Sequence, residues 1–308
     1  MRCNQLTLFF IYRRSVIIHN HMKRTLAIIA LLACAITTNA QILWKISGNG
    51  LNKPSYLFGT HHVADQTICN EIAGFNDAYS SVEQVYGEVD MKDMNSVSNM
   101  IKMMSYMKMP KDMTLSSLYT AEQVEIIDEF LTQNLGTGIK SFDMFKPVMA
   151  SSAVQVKIAM KVYPEFDADK AIDSHMQEKA RKDRKIVRGL ESISFQAEML
   201  YNTPIEEQAK ELLEVAQQGA EAEKAILDLT ELYRKQDIQG LWGLMLEDSE
   251  PEELEKLVYS RNRNWVEQMK HILPSASAMF VVGAGHLPGD QGLIKLLETE
   301  GYTLEPVW

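Results

Sequence analysis

The chain is poor in cysteine. Of three in 308 residues, Cys3 and Cys34 fall within the first forty, which leaves Cys69 alone beyond them. One thiol cannot form an internal disulfide, and a structural zinc cluster of thiolates is excluded with it. His-Glu-x-x-His, Gly-x-Ser-x-Gly and the P-loop are also missing. A standard zincin, an α/β-hydrolase and a P-loop nucleotidase are thereby disfavoured. No apolar run reaches the length of a comfortable membrane span, and there is neither a low-complexity linker nor a short-period repeat.

Basic residues are scarce beyond the N-terminal stretch. Five of the 31 lie in the first forty positions, where none of the 41 acidic residues lies. Residues 41–308 therefore carry 26 basic against 41 acidic side chains, a formal −15. A surplus of that sign aids solubility, attracts cations, and argues against nucleic acid or an anionic membrane surface as partner.

The first forty residues read as a leader, and 41–308 as the folded domain. Lys23-Arg24 is a short basic region, Leu26 to Ile36 an apolar stretch of signal-peptide length, and Thr38-Asn39-Ala40 sets a small residue before a cut at Gln41. Met22, just before the basic pair, is a possible true start. The expectation is an exported protein, periplasmic or secreted, with no stable membrane span after cleavage. A retained anchor, or a lipoprotein at Cys34 in Leu31-Leu32-Ala33-Cys34, ranks below that.

Pattern reading predicts six strands: residues 42–46 and 55–58 as a hairpin, then 84–89, 185–191, 277–282 and 302–307. The strand–helix–strand order over 55–89 makes strands two and three parallel. Helices are predicted over 70–81, from Thr120 (with Gln123 as a capping box) to 135, over 147–162 behind Pro147, and over 169–184. Further helices run from 204 to 235 with a break near Gln218-Gly219, over 252–272, and over 290–299 with Gly301 as stop. Residues 91–113 hold eight methionines, which suit either helix packing or an adaptable peptide groove. The sum is an α/β fold: one domain with a mixed central sheet flanked by helices and a large helical insertion.

Chemistry-bearing residues follow the strands. Gly59-Thr60-His61-His62 succeeds the second and Gly283-Ala284-Gly285-His286 the fifth, while Glu88 and Glu191 close the third and fourth. Loops at the carboxyl ends of parallel strands converge on the ligand crevice of an open sheet. Imidazole and carboxylate together suit Zn²⁺, Mn²⁺ or Co²⁺, and equally suit acid–base work without metal. Gly59, Gly283 and Gly285 would let backbone turn sharply towards a ligand. Arg261 would clamp a carboxylate or anchor the site, with a plain structural ion pair as the alternative. Asp173 and His175 read as surface or helix-packing residues, and His271 as a helix C-terminal charge.

At this point the chain resembles the TraB/PrgY/GumN family, which includes the Tiki proteins. Leu43-Trp44-Lys45-Ile46-Ser47, Ser55 through Val63, and Tyr86-Gly87-Glu88-Val89-Asp90 resemble its first blocks. Lys146-Pro147, Ile172-Asp173, Gly189-Leu190-Glu191, Arg261-Asn262-Arg263-Asn264-Trp265 and Val282 through Gly289 resemble later ones, continued by Gly301-Tyr302. The resemblance places the motif histidines on His62 and His286, with His61 at a variable position, and the shared glutamate on Glu88. It implies a fold like the erythromycin-esterase and ChaN group and a metal-dependent hydrolase, most specifically a peptidase. His62, His286 and Glu88 would ligate the ion (Mn, Co or Zn); Glu88, Glu191 and Arg261 would serve the reaction. Gly59, His61, Gly283 and Gly285 would contact a peptide or protein substrate. A non-catalytic peptide- or signal-binding module and a metal-independent esterase remain the alternatives.

Overall fold

Six strands form at the predicted places. The computed structural model describes residues 41–94, 96–164 and 171–308, apart from the side chain of Asp248. The leader, Met22 and Cys34 lie outside the described residues. β1 (Leu43–Gly48) and β2 (Ser55–Thr60) make the expected hairpin. β3 (Gln84–Gly87), β4 (Ile186–Gly189), β5 (Ala278–Gly283) and β6 (Tyr302–Pro306) complete one sheet in the order β4-β3-β5-β2-β1-β6. β1 alone runs against its neighbours β2 and β6, whereas β2, β5, β3 and β4 pair in parallel. Strands two and three do point the same way, but β5 lies between them.

That centre is what the sequence of β5 requires. Met279, Phe280, Val281 and Val282 are all at most 1% exposed. A strand apolar on both faces belongs in the interior of a sheet covered on both sides. Each such side chain contributes about 1.5–3 kcal/mol by burial. The edge strand β6 alternates instead, with Tyr302 and Leu304 inward and Thr303 and Glu305 outward.

The helices come in blocks between strands. α1 (Phe75–Ser81) joins β2 to β3. Between β3 and β4 lie α2 (Met91–Met94), α3 (Val97–Met107), α4 (Ala121–Leu135), α5 (Pro147–Ala159) and α6 (Ile172–Lys182). Between β4 and β5 lie α7 (Ile193–Tyr201), α8 (Ile205–Gln218), α9 (Ala220–Arg234), α10 (Ile238–Asp248), α11 (Pro251–Leu254) and α12 (Ser260–Ile272). α13 (Leu293–Thr299) precedes β6. The expected insertion is thus two blocks that pack together. Ile127, Leu131, Val154, Ile158, Leu212 and Ile226 of α4, α5, α8 and α9 share one apolar core. Met103, Met107, Ala197, Leu200, Met245 and Leu257, from α3, α7, α10 and the turn after α11, form another.

Local chemistry sets the boundaries. Thr120 and Gln123 form the capping box of α4, and Pro147 opens α5. The break at Gly219 separates α8 from α9, and Gly301 (φ +90) ends the last helix. The helix predicted over 70–81 begins only at Phe75, after a separate 3-10 turn over Gln66–Asn70 in which Asp65 accepts from the Thr67 N–H. Two helices escape pattern reading. α7 is buried on most of its surface and so shows no amphipathic period. α10 contains Gly240 and Gly243, which weaken the helical signal, yet Asp237 caps it through the Gly240 N–H at 2.9 Å. The helix through 251–272 is continuous but carries a π turn over Glu255–Tyr259. Of the 169–184 helix, residues 169–170 lie outside the described ones.

Candidate active site

The four parallel strands end at one edge, and the predicted site residues leave from there. His62 follows β2. Its Nδ1 donates to Asp173 Oδ2 at 2.7 Å, and Thr60 Oγ1 donates to the other oxygen, Oδ1, at 2.9 Å. Asp173 sits in the first turn of α6, which packs across β3, β4 and β5. With Nδ1 occupied, His62 presents Nε2 towards Gly283. Burial pulls the imidazolium pKa down, but the charge and hydrogen bond of Asp173, aided by Glu88, outweigh it and raise the pKa against the opposing Arg261.

Glu88 leaves the end of β3. Gln177 of α6 grips the segment behind it, donating to the Val89 carbonyl and accepting from the Met91 N–H, both at 2.9 Å. Glu88 Oε1 accepts from the Gly283 N–H at 2.8 Å; Oε2 accepts from Gln196 Nε2 at 3.1 Å and Arg261 Nη2 at 2.6 Å. Burial would raise its pKa, yet Arg261, His286, His62 and the Gly283 N–H overcome this and hold it down at about 2. Glu191 shares the same guanidinium, at 3.1 Å from Nε and 2.7 Å from Nη2. Burial pushes its pKa up, and the neighbouring Glu88 charge adds to that against Arg261. One cation therefore serves two buried carboxylates whose pKa values are pushed in opposite directions.

His286 ends a 3-10 turn, Ala284–His286, that follows β5. Asn262 fixes its tautomer. The Asn262 amide nitrogen is spent on the carbonyls of His286 and Gln291, so its Oδ1 faces His286 Nδ1 at 2.7 Å and accepts that proton. The lone pair on Nε2 is left to accept from Arg261 Nη1 at 3.0 Å. Burial, then Arg261, press the His286 pKa down to about 3, so the 3.8 Å approach to Glu88 Oε1 is not an ion pair at neutral pH.

Arg261 is the hub. It reaches Glu88, both oxygens of Glu191, His286 Nε2 and the Leu257 carbonyl (3.0 Å), which uses all five of its N–H donors. The π turn just before it sets Leu257 and Val258 into the crevice wall. Single π turns recur where a helix serves a site.

The glycines divide by task. None of Gly59, Gly283 and Gly285 has positive φ, so close approach explains them. A Cβ on Gly59 would stand 3.0 Å from the Ala284 backbone, and one on Gly285 would run into Met245 Sδ. A Cβ on Gly283 would lie 3.3 Å from Glu88 Oε1 and 3.6 Å from both His62 Nε2 and His286 Cδ2. These three side chains from three strand ends thus face one small region, in which His286 Nε2 lies 3.8 Å from Glu88 Oε1. The region opens into a crevice of about 640 Å³, counting space open at its mouth, whose far wall is Leu229, Tyr233, Leu241, Met245, Leu257 and Val258.

His61 borders the crevice but turns into the helical wall. Its Nε2 lies 3.2 Å from Thr230 Oγ1, whose own proton goes to the Ile226 carbonyl, and burial and then His62 lower its pKa to about 3. His62, Glu88, Glu191, Arg261, His286 and Gly283 are brought together; Gly59 stands behind the wall. Asp173 is a participant that its pattern disguised, since an acid in a helix first turn reads as a dipole partner. Asn262 and Gln196 orient the site with no sequence signal beyond the Arg-Asn-x-x-Trp block for the first.

Two imidazoles and a carboxylate suit a borderline divalent ion, and three carboxylates against one guanidinium leave negative charge over. The spacing is looser than a closed ligand shell. Arg261 holds the His286 lone pair, and among the described residues no group of three or more His, Cys, Asp or Glu side chains is spaced to hold a metal ion.

No curated protein and no solved structure matches the chain. Residues 42–306 match the family model described as TraB/PrgY/gumN family, and the chain belongs to that family.

Proposed function

We propose that the crevice is a hydrolytic centre for peptides or proteins outside the cytoplasm, and that it works with a divalent ion, Mn²⁺, Co²⁺ or Zn²⁺. The observation that carries this reading is the meeting of His62 Nε2, Glu88 Oε1 and His286 beside Gly283. His62 and Glu88 offer free acceptor capacity there; His286 would join them by giving up one Arg261 N–H. When bound, the ion would polarise a carbonyl or a water. The chain's own part is positional. Asp173 fixes the His62 ring, Arg261 keeps Glu88 ionised and in place, and Glu191 anchors Arg261. The apolar far wall receives side chains of the substrate and excludes water. Export rests on the basic and apolar stretches before Gln41, and the N-terminal residue of the protein recovered from cells tests it.

The test of the centre is metal content beside turnover. The protein should retain about one ion per chain after dialysis, and His62→Ala with His286→Ala should lose it. Equal metal content in the two would sink the assignment. A second reading has its own support in the His62–Asp173 pair and the Arg261–His286 bond, which together form an acid–base set without metal. Peptide cleavage that survives strong chelation would establish that reading. Peptide binding without cleavage under any metal would reduce the crevice to a binding module.

A further inference from the structure

α3 has an apolar face with nothing on it. Met103 and Met107 point inward and join the core shared with α7 and α10. Val97, Met100, Ile101 and Met104, spaced as one stripe of the helix, point outward at 72, 52, 67 and 41% exposure. A surface helix normally carries a single apolar stripe, turned to the core. Met144, also 67% exposed, extends the stripe at the helix C-terminal end, where its carbonyl accepts from the Met109 N–H at 3.0 Å.

The charge of this face runs against that of the chain. Between Met94 and Lys111 there are three lysines, Lys102, Lys108 and Lys111, and no acid; Asp93 and Asp112 bracket the segment. Lys140 is exposed nearby on the turn that leads to Met144. These lysines have no ion-pair partner among the described residues. Within a −15 domain, the helix that carries the exposed apolar stripe and the residues just after it thus bear a local excess of lysine.

We propose that this ridge seats the protein on an anionic lipid surface, with Val97, Met100, Ile101, Met104 and Met144 entering the headgroup–acyl boundary and Lys102, Lys108, Lys111 and Lys140 against lipid phosphates. An amphipathic helix with lysines beside its apolar side binds in this way. No helix among the described residues is long and apolar enough to cross the bilayer, so the attachment is peripheral. A second copy fits the face poorly, because a twofold contact would bring the lysines of both copies to one interface. An extended peptide needs a groove or a strand edge, whereas exposures above half at Val97, Met100, Ile101 and Met144 mark a ridge. This inference does not rest on the hydrolytic reading.

Sedimentation with vesicles tests it. Phosphatidylcholine vesicles with and without phosphatidylglycerol are mixed with the full chain and its variants, all with one N-terminus, so that any contribution of residues 1–40 is common to them. The full chain should pellet with the phosphatidylglycerol vesicles and be released by salt. Lys102→Glu, Lys108→Glu and Lys111→Glu together should weaken binding about a hundredfold or more, at about fivefold per lysine. Val97→Ser, Ile101→Ser and Met104→Ser together should weaken it about tenfold or more. All six positions are exposed, so melting temperatures should hardly change. Binding equal on both lipid compositions, binding unchanged in either triple variant, or no binding at all overturns the proposal. So does a concentration-dependent dimer that Ile101→Ser disperses, which would make the ridge a contact between copies.

Discussion

Replacing Arg261 by methionine isolates what the hub does for the fold. Methionine keeps most of the volume and removes the charge with all five N–H donors. Two carboxylates, each at most 6% exposed as side chains, then lose their cation, and His286 Nε2 and the Leu257 carbonyl lose donors. Breaking a buried pair by deleting one partner costs about 3–5 kcal/mol. At about 2–4 °C per kcal/mol for a domain of this size, the melting temperature should fall by roughly 6–20 °C. Urea unfolding at neutral pH, followed by far-UV circular dichroism, measures the change through the midpoint. The cost comes from stranded charge rather than lost contact. Adding Glu88→Gln and Glu191→Gln to Arg261→Met should therefore recover most of the stability while leaving the site useless. An Arg261→Met protein as stable as the parent refutes this account, as does a triple variant no better than the single.

Gly283→Ala should separate fold from function. The new methyl meets nothing nearer than 3.3 Å, so stability should change by less than about 1 kcal/mol, yet the methyl occupies the region that His62, Glu88 and His286 face. Metal content and peptide turnover should both fall; unchanged values place the centre elsewhere. Asp173→Asn keeps the acceptor for Thr60 and removes the charge behind His62, and turnover should drop about 10–100-fold with melting little altered, as steady-state kinetics beside calorimetry would show. Cys69 is buried, and that burial pushes its thiol pKa up to about 12. Iodoacetamide should leave it intact in the folded protein through mildly alkaline pH and modify it on unfolding. Mass spectrometry that finds Cys69 alkylated in the native state at neutral pH would contradict the burial.

The sheet was legible in the sequence because each strand is short, either apolar or alternating, and closed by a glycine or a turn. The mixed pairing followed from the hairpin and the strand–helix–strand order, but the place of β5 did not. Only its uninterrupted apolar run pointed to the centre, and such a run does not say which strands flank it. α7 and α10 stayed hidden for opposite reasons, one too buried to show a period and the other broken by Gly240 and Gly243. In the site, His62, Glu88, Glu191, Arg261 and His286 stood out as chemistry at strand ends or in a distinctive helix block. Asp173 did not, because its job is decided by a contact 111 positions away. The methionine-rich segment offered packing or a peptide groove; the structure splits α3 into a core-facing half and an exposed half. The overall negative charge argued against an anionic membrane, and the lysine excess on and just after α3 shows how a total conceals a local reversal.

The position of β5 also governs when the candidate site can form. It is the fifth strand made and the middle one in space, and it carries the backbone N–H that Glu88 needs and the histidine that Arg261 holds. Until residues 278–286 leave the ribosome, β2 and β3 have a gap between them and the crevice has no floor. The halves of the sheet must wait for a strand about two hundred residues downstream, a long loop to close before any central pairing repays it. A chain cut before residue 278 therefore lacks the Gly283 N–H and His286 of the candidate site. The two halves of the parallel sheet meet only through β5, so the candidate site is complete only with that strand in place.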